Sequence, residues 1–137
     1  MTDYLIDTNC LLSYSTDRSP EQQEAVSGYI LRASQLELTL TVTPHVLGEL
    51  VYVMLRVYDE PDTKVADLVA STLDTPGIRC LDTHPVHELL AIWPTDVADY
   101  GNAAIAATAR AAGLAVLTLD RAFTRSLKRL DIACQMP

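Results

Sequence analysis

Basic residues are scarce in this chain: ten Lys and Arg stand against eighteen Asp and Glu, a formal net charge of −8 over 137 residues. That balance argues against broad, nonspecific nucleic-acid binding, whose affinity comes from neutralising phosphates with Lys and Arg. A local basic patch is still allowed. Cysteine is sparse as well, and Cys10, Cys80 and Cys134 are odd in number and widely spaced, matching neither a zinc pattern nor a secreted disulfide framework. Reduced thiols in a cytoplasm fit best. Long apolar runs are missing: Thr, Asp, Glu or Arg interrupts each one well before the ~18 residues of a membrane span. The start of the chain also lacks a basic region followed by an apolar run. The expectation is a soluble, unexported, cytoplasmic protein with no membrane contact. There is no internal repeat, low-complexity segment or linker, and 49% apolar content suffices for one sizeable core, so residues 1–137 read as a single domain.

Apolar spacing then alternates between two periods along the chain. Tyr4 to Ile6 is a short buried strand, and Asp7-Thr8-Asn9 starts a helix from about Cys10 with Thr8 or Asn9 as cap. Ser19-Pro20-Glu21 opens a second helix carrying Val26, Tyr29, Ile30 and Ala33. Leu38 to Val42 alternates with Thr as a strand does, and Thr43-Pro44 opens a helix with Val46, Leu50, Met54 and Val57. A helix from Asp62 is stopped by Pro76-Gly77 before a strand Ile78 to Leu81, and Val86 to Trp93 is a further short helix. An Ala-rich helix from Tyr100 to Ala112 closes at Gly113, before a strand Ala115 to Leu119, a helix from Arg121, and an edge strand Ile132 to Gln135. Strands alternating with helices imply parallel βαβ units: an α/β protein, a three-layer α/β/α sandwich with a parallel sheet of four or five strands.

Two acids sit where such a sheet binds ligands. Asp7 follows the first strand and Asp120 ends Leu117-Thr118-Leu119-Asp120, and open parallel sheets take ligands in the crevice outside the carboxyl ends of their strands. Each acid alone reads equally well as a helix cap. Together they suggest a site for a hard divalent cation with oxygen ligands. Glu49 lies on or beside the apolar stripe of its helix, with Val46 three before it, Leu50 one after and Val53 four after. A carboxylate there needs a partner: a salt bridge to Arg56 or Arg110, or a cation shared with Asp7 and Asp120. Arg121, Arg125, Lys128 and Arg129 place four of the ten basic residues directly after Asp120, as a solvated helix face or a phosphate-binding patch. His45, His84 and His87 form no ligand spacing and receive no chemical role.

Over nearly its whole length the chain resembles the PIN-domain nucleases, and among them the VapC toxins of bacterial and archaeal toxin–antitoxin pairs. The residues that carry the likeness are Ile6-Asp7-Thr8-Asn9, Val46-Leu47-Gly48-Glu49-Leu50, Ala103 to Ala109 with Gly113, and Leu117-Thr118-Leu119-Asp120-Arg121-Ala122-Phe123. The resemblance implies a parallel sheet flanked by helices, a Mg2+ or Mn2+ site built from acids, and endoribonuclease activity. Asp7, Glu49 and Asp120 would be metal ligands or water-orienting bases. Asn9 and Thr118 match small polar positions beside the metal, and Arg121 and Arg125 would hold the RNA backbone. One departure stands out, because the family usually has an acid immediately before the first alanine of the Ala-rich helix and this chain has Asn102. An amide oxygen coordinates without bringing charge, which weakens divalent binding. Asp99, one turn earlier, is a metal candidate that reads better as the N-cap of that helix.

The likeness further implies a VapB-type antitoxin partner and a homodimer. A different class stays open: a non-catalytic protein of the same fold, kept for binding antitoxin or RNA, with Asn102 marking a crippled site. Magnesium-dependent phosphatases and receiver domains fit less well, because Asp7-Thr8-Asn9 lacks the second acid they place beside the first.

Overall fold

A computed structural model of the protein describes residues 2–137. The elements run β1 (Thr2–Ile6), α1 (Thr8–Ser15), α2 (Pro20–Ser34), β2 (Leu38–Val42), α3 (Pro44–Arg56) and α4 (Asp62–Leu73). They continue with β3 (Ile78–Cys80), α5 (Val86–Ile92), α6 (Tyr100–Ala112), β4 (Ala115–Leu117), α7 (Arg121–Arg129) and β5 (Cys134–Gln135). Local chemistry sets the boundaries. Ser19 caps α2 by accepting from Gln22 N–H, and Thr43 caps α3 by accepting from Val46 N–H, each followed by a proline whose missing N–H costs a helix nothing in its first turn. Gly113 ends α6 at φ 69°, a left-handed conformation that glycine adopts without steric cost.

All strands are parallel, in the order β3-β2-β1-β4-β5, giving the five-stranded α/β fold the sequence predicts. The chain steps outward from β1 to β2 and β3, then crosses back to β4 and β5. Right-handed crossovers therefore put α1 to α4 on one face and α5 to α7 on the other. The direction of winding reverses between β1 and β4, which opens a crevice beyond their carboxyl ends. Register there is Leu5 against Val116 and Ile6 against Leu117, so Asp7 and Thr118 emerge side by side.

Burial on both faces explains why β1 and β4 read as apolar runs rather than alternating ones. Leu5, Ile6, Leu40, Val42, Val116 and Leu117 are all fully buried. In α6 every residue from Ala103 to Ala109 is buried, and its small side chains let that helix lie close against the sheet and its helical neighbours. Among the described residues no helix is long and apolar enough to cross a membrane.

Several boundaries differ from expectation, each for a local reason. Helix α1 begins at Thr8, two residues early, with Asp7 at the N-cap position in place of Thr8 or Asn9. The Asp7 side chain makes no capping bond, being turned to Thr118 instead. Strand β4 stops at Leu117 because Thr118 and Leu119 lead into the cap of α7, although Thr118 N–H still donates to Gln135 O. The last strand is reduced to Cys134–Gln135.

Gly77 marks a close approach: a Cβ there would collide with the backbone carbonyl of Ala33 at the end of α2. Gly28, inside α2, has open space around it. Gly77→Ala is therefore expected to lower stability by about 1–3 kcal/mol in urea unfolding. Gly28→Ala is expected to raise it by up to ~1 kcal/mol through helix propensity alone.

Candidate functional site

Asp7 is the centre of the crevice between β1 and β4. Its backbone N–H donates to Leu117 O at 2.9 Å, which ties the end of β1 to β4. Its side chain is only 3% exposed, and Oδ2 accepts from the Thr118 hydroxyl at 2.7 Å. The same hydroxyl oxygen accepts from Asp120 N–H at 3.1 Å. Thr118 thus fastens the two strand-end acids together from below. It is wholly buried, so its place is beneath the acids. Asp120 Oδ1 accepts from Phe123 N–H at 3.0 Å and caps α7.

Glu49 reaches the crevice from the second turn of α3. Its Oε1 accepts from the Thr8 hydroxyl at 3.1 Å and lies 2.8 Å from His45 Nε2. The imidazole is a charge contact bent away from hydrogen-bond alignment, so its buried Nε2 has no well-directed acceptor. Neither expected arginine pairs with Glu49: Arg110 donates to Leu130 O at 2.7 Å, and Arg56 is exposed at the end of α3. The partner is a histidine to which sequence reasoning gave no role, although its position four residues before Glu49 on one helix was a signal for such a pair.

Charge couples these groups. Burial above all, opposed by the Thr118 hydroxyl and the Thr8 backbone N–H and assisted by the charges of Glu49 and Asp120, raises the Asp7 carboxyl to about 6. Contact with His45 lowers Glu49 despite partial burial, and Thr8 assists. Glu49 in turn raises His45 against its burial, with smaller help from the charges of Asp99 and Asp7.

The start of α6 closes the arrangement. Asp99 Oδ1 accepts from Asn102 N–H at 2.8 Å, an N-cap. A Cβ on Gly101 would lie 3.1 Å from His45 Nε2, 3.2 Å from Asp99 Oδ1 and 3.3 Å from Glu49 Oε1, so these three side chains gather around the bare glycine. Asn102 follows on the same first turn, half-buried. Asn9 is half-buried in α1 and its carbonyl accepts from Arg18, while Arg121 and Arg125 are exposed on α7.

Among the described residues no three acid, imidazole or thiol groups converge tightly enough to hold a metal unaided. The donor chemistry nevertheless fits a hard divalent ion: carboxylate and amide oxygens, and one acid so deprived of water that its ionised form is disfavoured without a counter-charge.

The family model for the PIN domain matches residues 4–126. This chain belongs to the PIN domain family. Asp7, Asn9, Glu49, Asp99, Asn102, Thr118, Asp120, Arg121 and Arg125 all fall within the matched residues of the PIN domain. Among solved structures it is similar to VapBC2 from Rickettsia felis, bound in that crystal to a DNA fragment from their promoter, with a TM-score of 0.71, 15% identity and 98% of each chain covered. It is also similar to PAE2754 from Pyrobaculum aerophilum, with a TM-score of 0.65, 15% identity, and 91% of this chain and 84% of that one covered. At such identities the likeness is one of fold. No curated protein matches.

The raised Asp7 carboxyl makes a prediction for the metal-free PIN domain. A folded-state pKa above the unfolded one favours folding at low pH, and that contribution is lost as pH rises from about 4 through about 6. The shift from 3.8 to about 6 corresponds to about 3 kcal/mol. Asp7→Asn should therefore be more stable than the parent at pH 7 in EDTA, by an amount that shrinks toward pH 4. Urea unfolding of both proteins across this range checks it.

Proposed function

We propose that this chain is a Mg2+- or Mn2+-dependent endoribonuclease that hydrolyses RNA phosphodiesters and acts in the cytoplasm as the VapC-type toxin of a toxin–antitoxin pair. The observation that carries the reading is the electrostatic coupling of Asp7 to both Glu49 and Asp120 at the winding reversal of a PIN-domain sheet. PIN domains are in general nucleases. Asp7, Glu49 and Asp120 are the ligands in this reading, with Asn102 adding an amide oxygen and Asp99 kept as the cap of α6. When bound, the divalent ion lowers the pKa of water and neutralises charge developing on the scissile phosphate.

The remaining work falls to the protein. Thr118 holds the Asp7 and Asp120 segments in place, and Thr8 steadies Glu49. His45 and Thr8 both contact Glu49 Oε1, so His45 would compete with the ion for that oxygen. Arg121 and Arg125, exposed on α7 directly after Asp120, hold the RNA backbone in a molecule whose overall charge repels it, and Asn9, two residues after Asp7, is the further polar group proposed for the substrate. A VapB-like antitoxin and a homodimer are the partners proposed, supported by the fold shared with a VapBC protein and by Tyr52, Val57 and Tyr58, apolar side chains exposed on and just beyond α3.

A second reading has one observation in its favour. Asn102 removes a negative charge from the position where the family usually has an acid, which suits a PIN-fold protein that binds RNA or antitoxin and cuts weakly.

Purified protein is expected to cut single-stranded RNA with Mn2+ and to stop in EDTA. Glu49→Gln should lower the rate on the order of a hundredfold. Asn102→Asp should strengthen Mn2+ binding at least about tenfold and raise cleavage with it. Equal cleavage in EDTA would sink the metal-dependent reading. RNA bound but uncut by both the parent and Asn102→Asp favours the binding protein.

A further inference from the structure

Across His45 from Glu49 lies a cavity of about 170 Å3, far more than one water or ion needs. Ala104 and Thr108 of α6 line one side, Thr43 to His45 at the start of α3 another, and the loop from Asp82 to His84, after β3, its rim. Only His45 among these residues also touches the acid cluster. The cavity opens at the same carboxyl edge of the sheet as the crevice.

Its polar groups are placed to read an edge. The Thr43 oxygen already accepts from Val46 N–H at 3.2 Å, which leaves its own proton to donate. Thr108 spends its proton on Ala104 O at 2.8 Å and offers an acceptor. Asp82 is exposed, and its recorded contact is a weak one from Cys80 Sγ at 3.8 Å, so both carboxylate oxygens are free to accept. The Pro44 ring and the Ala104 methyl supply apolar walls between these groups. Proteins read RNA by taking unstacked bases from single strands and bonding their exposed edges, and a cavity of this size with a polar rim suits one base.

We propose that this cavity is a nucleobase subsite for the RNA strand, taking one unstacked base with guanine preferred, and that Asp82 reads it. An ionised carboxylate only accepts, so it matches an edge with two adjacent donors. Guanine presents N1–H beside its N2 amino group. Uracil flanks its single donor with two carbonyls, adenine sets an acceptor beside its amino group, and cytosine offers one donor next to an acceptor. With His45 shared between cavity and Glu49, a base held here belongs to a nucleotide next to the phosphate being cut. The proposal rests on the nuclease reading for its biological meaning, while base binding itself requires neither metal nor cleavage.

Nucleosides test it, because they carry no phosphate. The isotope-labelled protein, in EDTA, is titrated separately with guanosine, cytidine, adenosine and uridine while its amide resonances are followed. The expected result is saturable guanosine shifts at 43–45, 82–84 and 104–108, with weaker binding of the other three. Asp82→Asn should weaken guanosine about tenfold or more and level the preference, with the rest of the spectrum unchanged because the residue is exposed. Asp82→Ala should do the same. Equal or scattered shifts for all four nucleosides overturn the proposal, as does guanosine binding that both variants retain in full. RNA cleaved by Mn2+-loaded protein without a guanosine site leaves the nuclease reading standing and removes the subsite. Guanosine bound here by a protein that cuts no RNA does the reverse.

Discussion

A carboxylate held almost out of water at the join of two parallel strands sets the terms for the rest of this molecule. Asp7 can occupy that place only because the sheet winds outward on one side of β1 and returns to β4 on the other, leaving its end unroofed by a crossover. Burial works against its charge, and the Thr118 hydroxyl and Thr8 backbone offset only part of that cost. Glu49 and Asp120 make it worse. That concentration of like charge is the reason the acids are proposed as a cation site, with Asp120 serving as the cap of α7 as well.

The same constraint accounts for the surroundings. Thr118 is fully buried yet polar, because its one hydroxyl serves two acids. Gly101 carries no side chain where His45, Asp99 and Glu49 meet, and any Cβ would crowd all three. Contact between His45 and Glu49 raises the imidazole and lowers the carboxyl, whereas burial raises Asp7. Burial and like charge thus hold the Asp7 carboxyl up at about 6, while the imidazole beside Glu49 holds that carboxyl below its ordinary value.

Much of the fold was legible because its signals are local. Pro44 after Thr43, Pro20 after Ser19, and Gly113 after the alanine run each act within one turn of chain, and the strands announce themselves by apolar runs between them. The strand-end acids were legible through topology. What escaped were contacts settled by packing. Strand β4 is two residues shorter than the apolar pattern of Ala115 to Leu119 predicts, because the capping of α7 by Asp120 claims the chain early. The choice between Arg56, Arg110 and a cation for Glu49 left out His45, whose spacing was visible but whose side-chain direction was not. Nor can the depth of Thr118 be read from its neighbours in sequence.

Calorimetric titration of Mn2+ at pH 6, repeated in buffers of different ionisation heat, tests the central claim most directly. An ion that takes the Asp7 carboxylate must expel the proton which that group partly retains at about 6. The account predicts saturable binding accompanied by net proton release, with the release fading by pH 8 and binding lost in Asp7→Ala. Binding that releases no proton, or that survives unchanged in Asp7→Ala, would contradict it.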